Sequence, residues 1–257
     1  MIQKEFADRI VKAIQGDDSV VGLAVGGSWL SNELDSYSDL DLILVTEKKV
    51  SGDPSSMLEY AGRFGNLLAG FTGEHVGEPR LLICLYDDPL LHVDIKFLVP
   101  DEFESRVENP EILYDPRHRL ESIINSSEAS FPMPDYQWIE DRFWIWTHYV
   151  LTKIGRGEYF EAFDTIGFIR MQVLGPLSLI KSGNLPKGVR KVEMLLTGSD
   201  LQRLKTSIPE YDRISLQKAI KHCVALYSSL RAELYPSTIQ QREKAEAAVI
   251  LYMDQIL

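Results

Sequence analysis

A short segment between two apolar runs contains the residue types that bind phosphate and metal ions. Gly26, Gly27 and Ser28 follow the first run, and ten further residues separate Ser28 from Asp39, which is followed by Asp41. The glycines allow the backbone to turn sharply, and the serine hydroxyl with nearby N–H groups can then face an anion such as phosphate. Asp39 and Asp41 stand two apart on a predicted strand, so both carboxylates project from the same face. Because two ionised carboxylates repel each other, their pairing predicts a bound cation.

Asp94 is a candidate third carboxylate. It lies in the apolar run 90–99, whose alternation predicts a strand with His92, Asp94 and Lys96 on its more polar face. Mg²⁺ prefers oxygen ligands and usually takes one or two carboxylates together with substrate phosphates. In the alternative interpretation, Asp94 pairs with Lys96 and has no chemical role. The candidate site for a metal ion and a triphosphate consists of Gly27, Ser28, Asp39, Asp41 and Asp94.

The elements that position these residues mix helices and strands over the first hundred residues. Apolar residues at helical spacing predict a first helix, and β-branched or alternating runs predict the strands. Asp53 and Pro54 are typical of an N-cap and a first helical position. In chain order, the sequence predicts a helix over 2–14, strands over 19–25 and 40–45, a helix over 54–69, and a hairpin of strands over 80–86 and 90–99.

The second half of the chain is predicted to be helical throughout. A mixed segment over 101–134 contains four prolines and is interpreted as a linker with short elements. The predicted helices that follow it span 136–155, 158–182, 189–206, 214–235 and 238–257. We therefore predict an α+β domain with a mixed sheet over 1–134 and an all-α helical bundle over 135–257.

Composition and charge narrow the functional classes. With 38 acidic and 27 basic residues, the chain has a net charge of −11. Such a chain repels phosphate backbones and anionic lipid headgroups unless its cations are concentrated in one place, so we expect neither a nucleic-acid nor a membrane partner. No run approaches the ~18 apolar residues of a membrane span, and the N-terminus lacks a signal-peptide pattern. With two cysteines far apart in the sequence, these features favour a cytoplasmic location.

Three motifs resemble those of a known superfamily. Gly27-Ser28 followed by Asp39-Leu40-Asp41 resembles the signature of the DNA polymerase β-type nucleotidyltransferases, and the segment 92–95 resembles their third-carboxylate strand. The aromatic segment 143–149 and the residues after it are similar to the helical region of aminoglycoside 6-adenylyltransferases, an antibiotic nucleotidyltransferase branch. The resemblance covers about 20–170 and implies a nucleotidyltransferase-type sheet followed by a substrate-binding helical domain.

The resemblance also implies an activity. It implies transfer of a nucleoside monophosphate from an NTP, most simply ATP, to a hydroxyl of a small acceptor such as an aminoglycoside or lincosamide, with release of pyrophosphate. Two Mg²⁺ ions are expected, one held by Asp39 and Asp41 and the other shared with Asp94. A role in antibiotic resistance and a monomeric or homodimeric state follow as expectations.

Two residues of the helical half are further candidates. Glu140 is a candidate general base, because a carboxylate from the helical domain has that role in kanamycin nucleotidyltransferase-like enzymes. The alternatives are that Asp94 is the base and that Glu140 is only an acid placed near a helix N-terminus. Lys153 is a candidate ligand of the triphosphate. The neighbouring aromatic residues are interpreted mainly as bundle core, with a stacking platform for a base or an antibiotic ring as the alternative.

Two other functions remain open from the sequence. One is a regulatory member of the same superfamily that adenylylates a protein or acts as an antitoxin, which an adjacent toxin-like gene would favour. The other is a catalytically silent nucleotide-binding module of the same fold. Mg²⁺-dependent stabilisation by one NTP, lost on substitution of Asp41, would favour an active transferase over the silent module.

Overall fold

The computed structural model describes residues 1–256 and divides the chain into two compact units, Met1–Pro132 and Met133–Leu257. The first unit contains both helices and strands. Its elements are α1 (Ile2–Ile14), β1 (Val20–Val25), β2 (Leu40–Thr46), α2 (Pro54–Gly62), β3 (Asn66–Gly73), β4 (Glu78–Asp87), β5 (Leu91–Leu98), α3 (Pro100–Phe103), β6 (Glu111–Tyr114) and α4 (Arg119–Ser126).

The strands of the first unit form one mixed six-stranded sheet in the order β3-β4-β5-β2-β1-β6. β2 and β5 pair in parallel, and the other four pairings are antiparallel. The connection from β2 to its parallel neighbour β5 runs through α2, β3 and β4. The predicted α+β class with a mixed sheet is therefore confirmed.

The predicted helix over 54–69 is wrong in its second half. α2 begins as expected, with the Asp53 side chain accepting a hydrogen bond from the Ser55 N–H, but it ends at Gly62. The following run, Asn66–Gly73, is a strand that pairs antiparallel with β4. A short apolar run does not by itself distinguish a helix from a strand. Here the pairing with β4 stabilises the strand conformation. β6, in the segment interpreted as a linker, was also missed; it is a four-residue edge strand beside β1.

Alternation along β2 and β5 gives the sheet two different faces. Leu42 and Ile95 belong to the larger core, where α1 and α2 contribute apolar side chains. Val45 and Leu98 lie in a smaller core on the opposite face, against residues of α3 and α4. The polar residues of β2 and β5 share that second face, where the small core covers only the Val45 end.

The second unit contains helices and no strand among its residues up to 256. Its helices are α5 (Tyr136–Arg156), α6 (Tyr159–Ile169), α7 (Gly175–Lys181), α8 (Val192–Leu195), α9 (Gly198–Lys205), α10 (Arg213–Leu234) and α11 (Glu243–Ile256). A π-helical segment, Arg170–Leu174, joins α6 to α7, so the predicted helix over 158–182 is nearly continuous. The predicted helix over 189–206 is instead divided between α8 and α9.

One apolar core holds these helices together. Phe143 of α5 stacks on Tyr227 of α10 with ring centroids 3.6 Å apart, and both side chains are fully buried. Trp144 completes the cluster with an edge contact to Phe143. Of the helices within residues 1–256, none combines the length and the apolar character that a membrane crossing requires.

Candidate active site

The centre of the candidate site is a pair of carboxylates on adjacent strands. Asp41 of β2 and Asp94 of β5 are register partners in the parallel pairing. Neighbouring strands lie about 4.8 Å apart, and paired residues direct their side chains to the same face. Both residues are half-buried. The sequence prediction that these two side chains lie on one face of one sheet is therefore confirmed.

The turn after β1 closes one side of this carboxylate pair. The Gly26 N–H donates to the Asp41 backbone oxygen at 2.9 Å, which fixes the turn against the start of β2. Gly27 has a φ of +63°, and a Cβ there would stand 2.0 Å from Asp41 Oδ2. Only glycine fits this position, because the left-handed backbone and the lack of space both exclude a side chain. Gly27 thus allows the Asp41 carboxylate to lie directly against the turn.

A carboxylate that the sequence analysis did not identify accepts a hydrogen bond from the turn after β1. Glu108, in the loop between α3 and β6, accepts a hydrogen bond from the Gly27 N–H at 2.8 Å. Ser28 is half-buried in the same turn, a single 3₁₀ turn over Gly27–Trp29. The Gly27 N–H therefore binds an oxygen anion in this structure. No spacing or motif marks Glu108 in the sequence, because its role depends on a loop 81 residues away.

Asp94 has a different neighbour from the one considered in the sequence. Its Oδ1 atom lies 2.9 Å from His92 Nε2, whereas Lys96 pairs with Glu78 at 2.8 Å. Arg80 also binds Glu78, and the hydrogen bonds from Arg80 and Lys96 lower the pKa of Glu78 to about 2. The suggested Asp94–Lys96 ion pair is therefore wrong. Lys96 is engaged elsewhere, and the lysine does not neutralise Asp94.

Asp39 lies just before β2 and is exposed. Within residues 1–256, no three side chains of the His, Cys, Asp and Glu types are grouped closely enough to hold a metal ion. The structure thus brings Asp41 and Asp94 together but does not assemble the three carboxylates into one group. A two-carboxylate oxygen donor set fits Mg²⁺, which commonly completes its coordination with water and substrate phosphates.

Glu140 does not have the surroundings of a general base. Its side chain is 0% exposed on α5 and accepts hydrogen bonds from the Tyr227 hydroxyl at 2.5 Å and from Arg231 at 3.2 Å. The Arg242 N–H donates to it at 2.9 Å. A buried carboxylate with these partners has no lone pair directed at solvent or substrate. The structure therefore does not favour the predicted general-base role, and it places Glu140 in an ion-pair network of the helical core.

Lys153 is likewise engaged within its own unit. Its ammonium group pairs with Glu158 at 2.6 Å and Glu161 at 2.9 Å, and the side chain is 13% exposed. These two hydrogen-bonded carboxylates raise the pKa of Lys153. Its charge is balanced by carboxylates at the α5–α6 turn, so the structure does not favour the predicted role as a triphosphate ligand.

The chain matches no protein-family model and none of the curated proteins compared with it. It is similar in structure to an aminoglycoside 6-adenyltransferase from Bacillus subtilis, with 16% identity and a TM-score of 0.43, over 99% of this chain and 98% of that one. It is also similar to a nucleotidyltransferase-like protein from Exiguobacterium sibiricum, with 12% identity and a TM-score of 0.36, over 89% of this chain and 75% of that one.

Proposed function

We propose that the chain is a metal-dependent nucleotidyltransferase that moves a nucleoside monophosphate, most simply AMP from ATP, to a hydroxyl of a small acceptor. The observation that carries this proposal is the Asp41–Asp94 register pair beside the left-handed Gly27 turn. Adjacent carboxylates at a partly open sheet face bind a cation, and a glycine turn beside them binds phosphate. Because the chain resembles the antibiotic nucleotidyltransferase branch, an aminoglycoside or a lincosamide is the first acceptor to test.

Each residue of the site has a separate task in this reaction. The acceptor hydroxyl gives its proton to Asp94 as its oxygen attacks the α-phosphorus. The bond to the bridging oxygen then breaks, and pyrophosphate leaves with the electron pair of that bond. The Gly27 N–H and the Ser28 hydroxyl bind phosphate oxygens, and Glu108 leaves the Gly27 N–H when they arrive. His92, hydrogen-bonded to Asp94, orients that carboxylate.

The metal ion belongs at the carboxylate pair. Asp41 and Asp94 would hold Mg²⁺, with Asp39 as an additional ligand; a second ion, as the resemblance implies, requires Asp39. When bound, Mg²⁺ supplies charge neutralisation between the carboxylates and the polyphosphate. This role explains why two acidic side chains are placed side by side with Lys96 directed to Glu78 instead.

Nucleotide binding tests the proposal without knowledge of the acceptor. Thermal unfolding is measured with each of the four NTPs, with and without Mg²⁺, for the wild type and for Asp41→Asn and Asp94→Asn. We expect one NTP to stabilise the wild type only when Mg²⁺ is present, because a ligand that binds the folded state raises its free energy of unfolding. Both variants should lose this stabilisation, whereas Asp8→Asn, an exposed acid on α1, should retain it.

Turnover then tests the chemistry. Pyrophosphate release is followed with the stabilising NTP and a panel of aminoglycosides, lincosamides and candidate proteins. Release that depends on an acceptor and disappears in Asp94→Asn supports transfer. Equal nucleotide stabilisation in the wild type, Asp41→Asn and Asp94→Asn would contradict the assignment of the site.

A further inference from the structure

A cavity on the surface of the helical unit contains none of the residues assigned to the proposed reaction. It has a volume of about 690 Å³ and lies between α5 and α6. Pockets of roughly 300–1,000 Å³ are typical of small-molecule sites. Its apolar walls are formed by Ile145, Trp146, Tyr149, Phe160 and Phe168.

The cavity walls are large apolar groups left at the surface. Phe160 is 74% exposed and Ile145 is 66% exposed, so neither contributes much to the bundle core. The rings are nevertheless held in place by neighbours. Trp146 makes an edge contact with Phe168 at 5.0 Å, and Phe160 lies against Tyr211 at 4.7 Å. The aromatic surface is therefore already arranged before any ligand binds.

The charges at the cavity are negative. Glu161 and Asp164 of α6 both line it. Lys153 pairs with Glu161, but no cation within residues 1–256 pairs with Asp164. A ligand that carries a positive charge is therefore attracted, and phosphates and carboxylates are repelled. Aromatic faces strengthen this preference, because they attract cations electrostatically. Lys153 over the Tyr149 ring, at 4.9 Å, is an example within the same cluster.

The hydrogen-bonding groups of the cavity limit how polar the ligand can be. The Thr165 hydroxyl donates to the Glu161 backbone oxygen at 2.7 Å, and the Tyr149 hydroxyl donates to the Glu161 carboxylate. Both hydroxyls already use their proton within the protein. A ligand with many hydroxyls would leave some of them without partners, at a cost in affinity.

We propose that this cavity binds an organic cation with an apolar or aromatic ring and one ammonium group, the ring lying on Trp146, Phe160 and Phe168 and the ammonium group facing Asp164. The proposal concerns a binding site in the second unit and does not depend on nucleotidyl transfer.

Three probes that share a naphthalene ring test the charge preference. These are naphthylmethyl-trimethylammonium, the neutral naphthylmethanol and the anionic naphthoate, titrated by fluorescence without NTP or Mg²⁺. We expect the cation to bind at least about fivefold more tightly than the alcohol, from cation–π and charge contacts, and naphthoate to bind most weakly. Equal affinity for the cation and the anion would overturn the proposal.

Two variants with matched controls test the assigned residues. Asp164→Asn should weaken binding of the cation about fivefold and leave naphthylmethanol unchanged, whereas Asp254→Asn, an exposed acid on α11, should change neither. Phe160→Ala should weaken all three probes, and Leu251→Ala, another exposed apolar side chain, should not. Because all four side chains are exposed, the variants should fold. Unchanged cation binding in Asp164→Asn would refute the assignment.

Discussion

Replacement of Gly27 by alanine should weaken nucleotide binding by displacing the Asp41 carboxylate of the candidate site, without changing any charge. The added Cβ would lie 2.0 Å from Asp41 Oδ2 and 2.9 Å from Asp41 Cγ, far inside van der Waals contact. The aspartate side chain is short, so it cannot avoid the methyl group by moving only its tip. It must rotate away from the turn, and the Asp41–Asp94 pair is then lost as a cation site.

The stability cost of Gly27→Ala can be separated from its effect on the site. A left-handed conformation costs a non-glycine residue about 1–2 kcal/mol. Gly16 has a φ of +84° and no heavy atom within 4 Å of its would-be Cβ, so Gly16→Ala carries only this cost. Gly27→Ala adds the displacement of Asp41 into a less favourable rotamer, about 0.5–1.5 kcal/mol. We therefore expect a loss of about 1–2 kcal/mol for Gly16→Ala and about 1.5–3.5 kcal/mol for Gly27→Ala.

The assay compares stability and nucleotide affinity in the same two variants. Denaturant unfolding gives the free energy of unfolding, and calorimetric titration gives the affinity for the Mg²⁺–NTP complex. Gly27→Ala should bind it at least about tenfold more weakly, a loss of about 1.4 kcal/mol, while Gly16→Ala binds as the wild type does. Wild-type affinity in a folded Gly27→Ala protein would show that the contact with Asp41 does not position the site.

Three further substitutions test other parts of the structure. Glu108→Gln should lower the Kd for the Mg²⁺–NTP complex several-fold in calorimetric titration, because it removes a negative charge that competes with phosphate at the Gly27 N–H; a higher Kd would contradict this competition. Arg80 and Lys96 lower the pKa of Glu78 to about 2, so its contribution to stability is complete above the ordinary pKa of about 4.5 and is lost as pH falls towards 2. In denaturant unfolding between pH 6 and 2, the difference between the wild type and Glu78→Gln should therefore shrink by about 1–2 kcal/mol, because solvent screens these partly exposed ion pairs, and a constant difference would refute the pairing. Glu140→Gln should lower the free energy of unfolding by about 3 kcal/mol, since it breaks a buried ion pair, and should leave turnover of the folded enzyme unchanged; a large loss of kcat at unchanged stability would restore the general-base role.

Short-range sequence patterns were sufficient to predict which residues of β2 and β5 face the candidate site. The alternation of β2 and β5 places Asp41 and Asp94 on the polar face of each strand, and both assignments are visible in the order of apolar residues alone. Their pairing in register was not visible. It depends on a parallel contact between strands more than fifty residues apart in sequence, with β3 and β4 in the connection between them.

β3 illustrates why part of the sheet could not be predicted from the sequence. Its sequence, Asn66–Gly73, contains small and apolar residues that suit a helix continuing from α2. Its strand conformation is stabilised by pairing with β4, from Asn66 with Asp87 to Gly73 with Glu78. β-propensity reflects packing against neighbours as much as it reflects the residue itself. A strand whose partner follows in the chain is therefore recognised only when the hairpin is considered as one unit.

Glu140 shows that the same limit applies to the prediction of catalytic residues from the sequence. Near a helix N-terminus an acid is typical, and nothing within α5 distinguishes one that faces solvent from one that faces the core. The arginine that pairs with Glu140 lies 91 residues further along the chain, on α10. Asp41 differs, because the local sequence already contains the glycine turn that packs against it. The position of Asp41 could therefore be located from the sequence, whereas the surroundings of Glu140 required the tertiary structure.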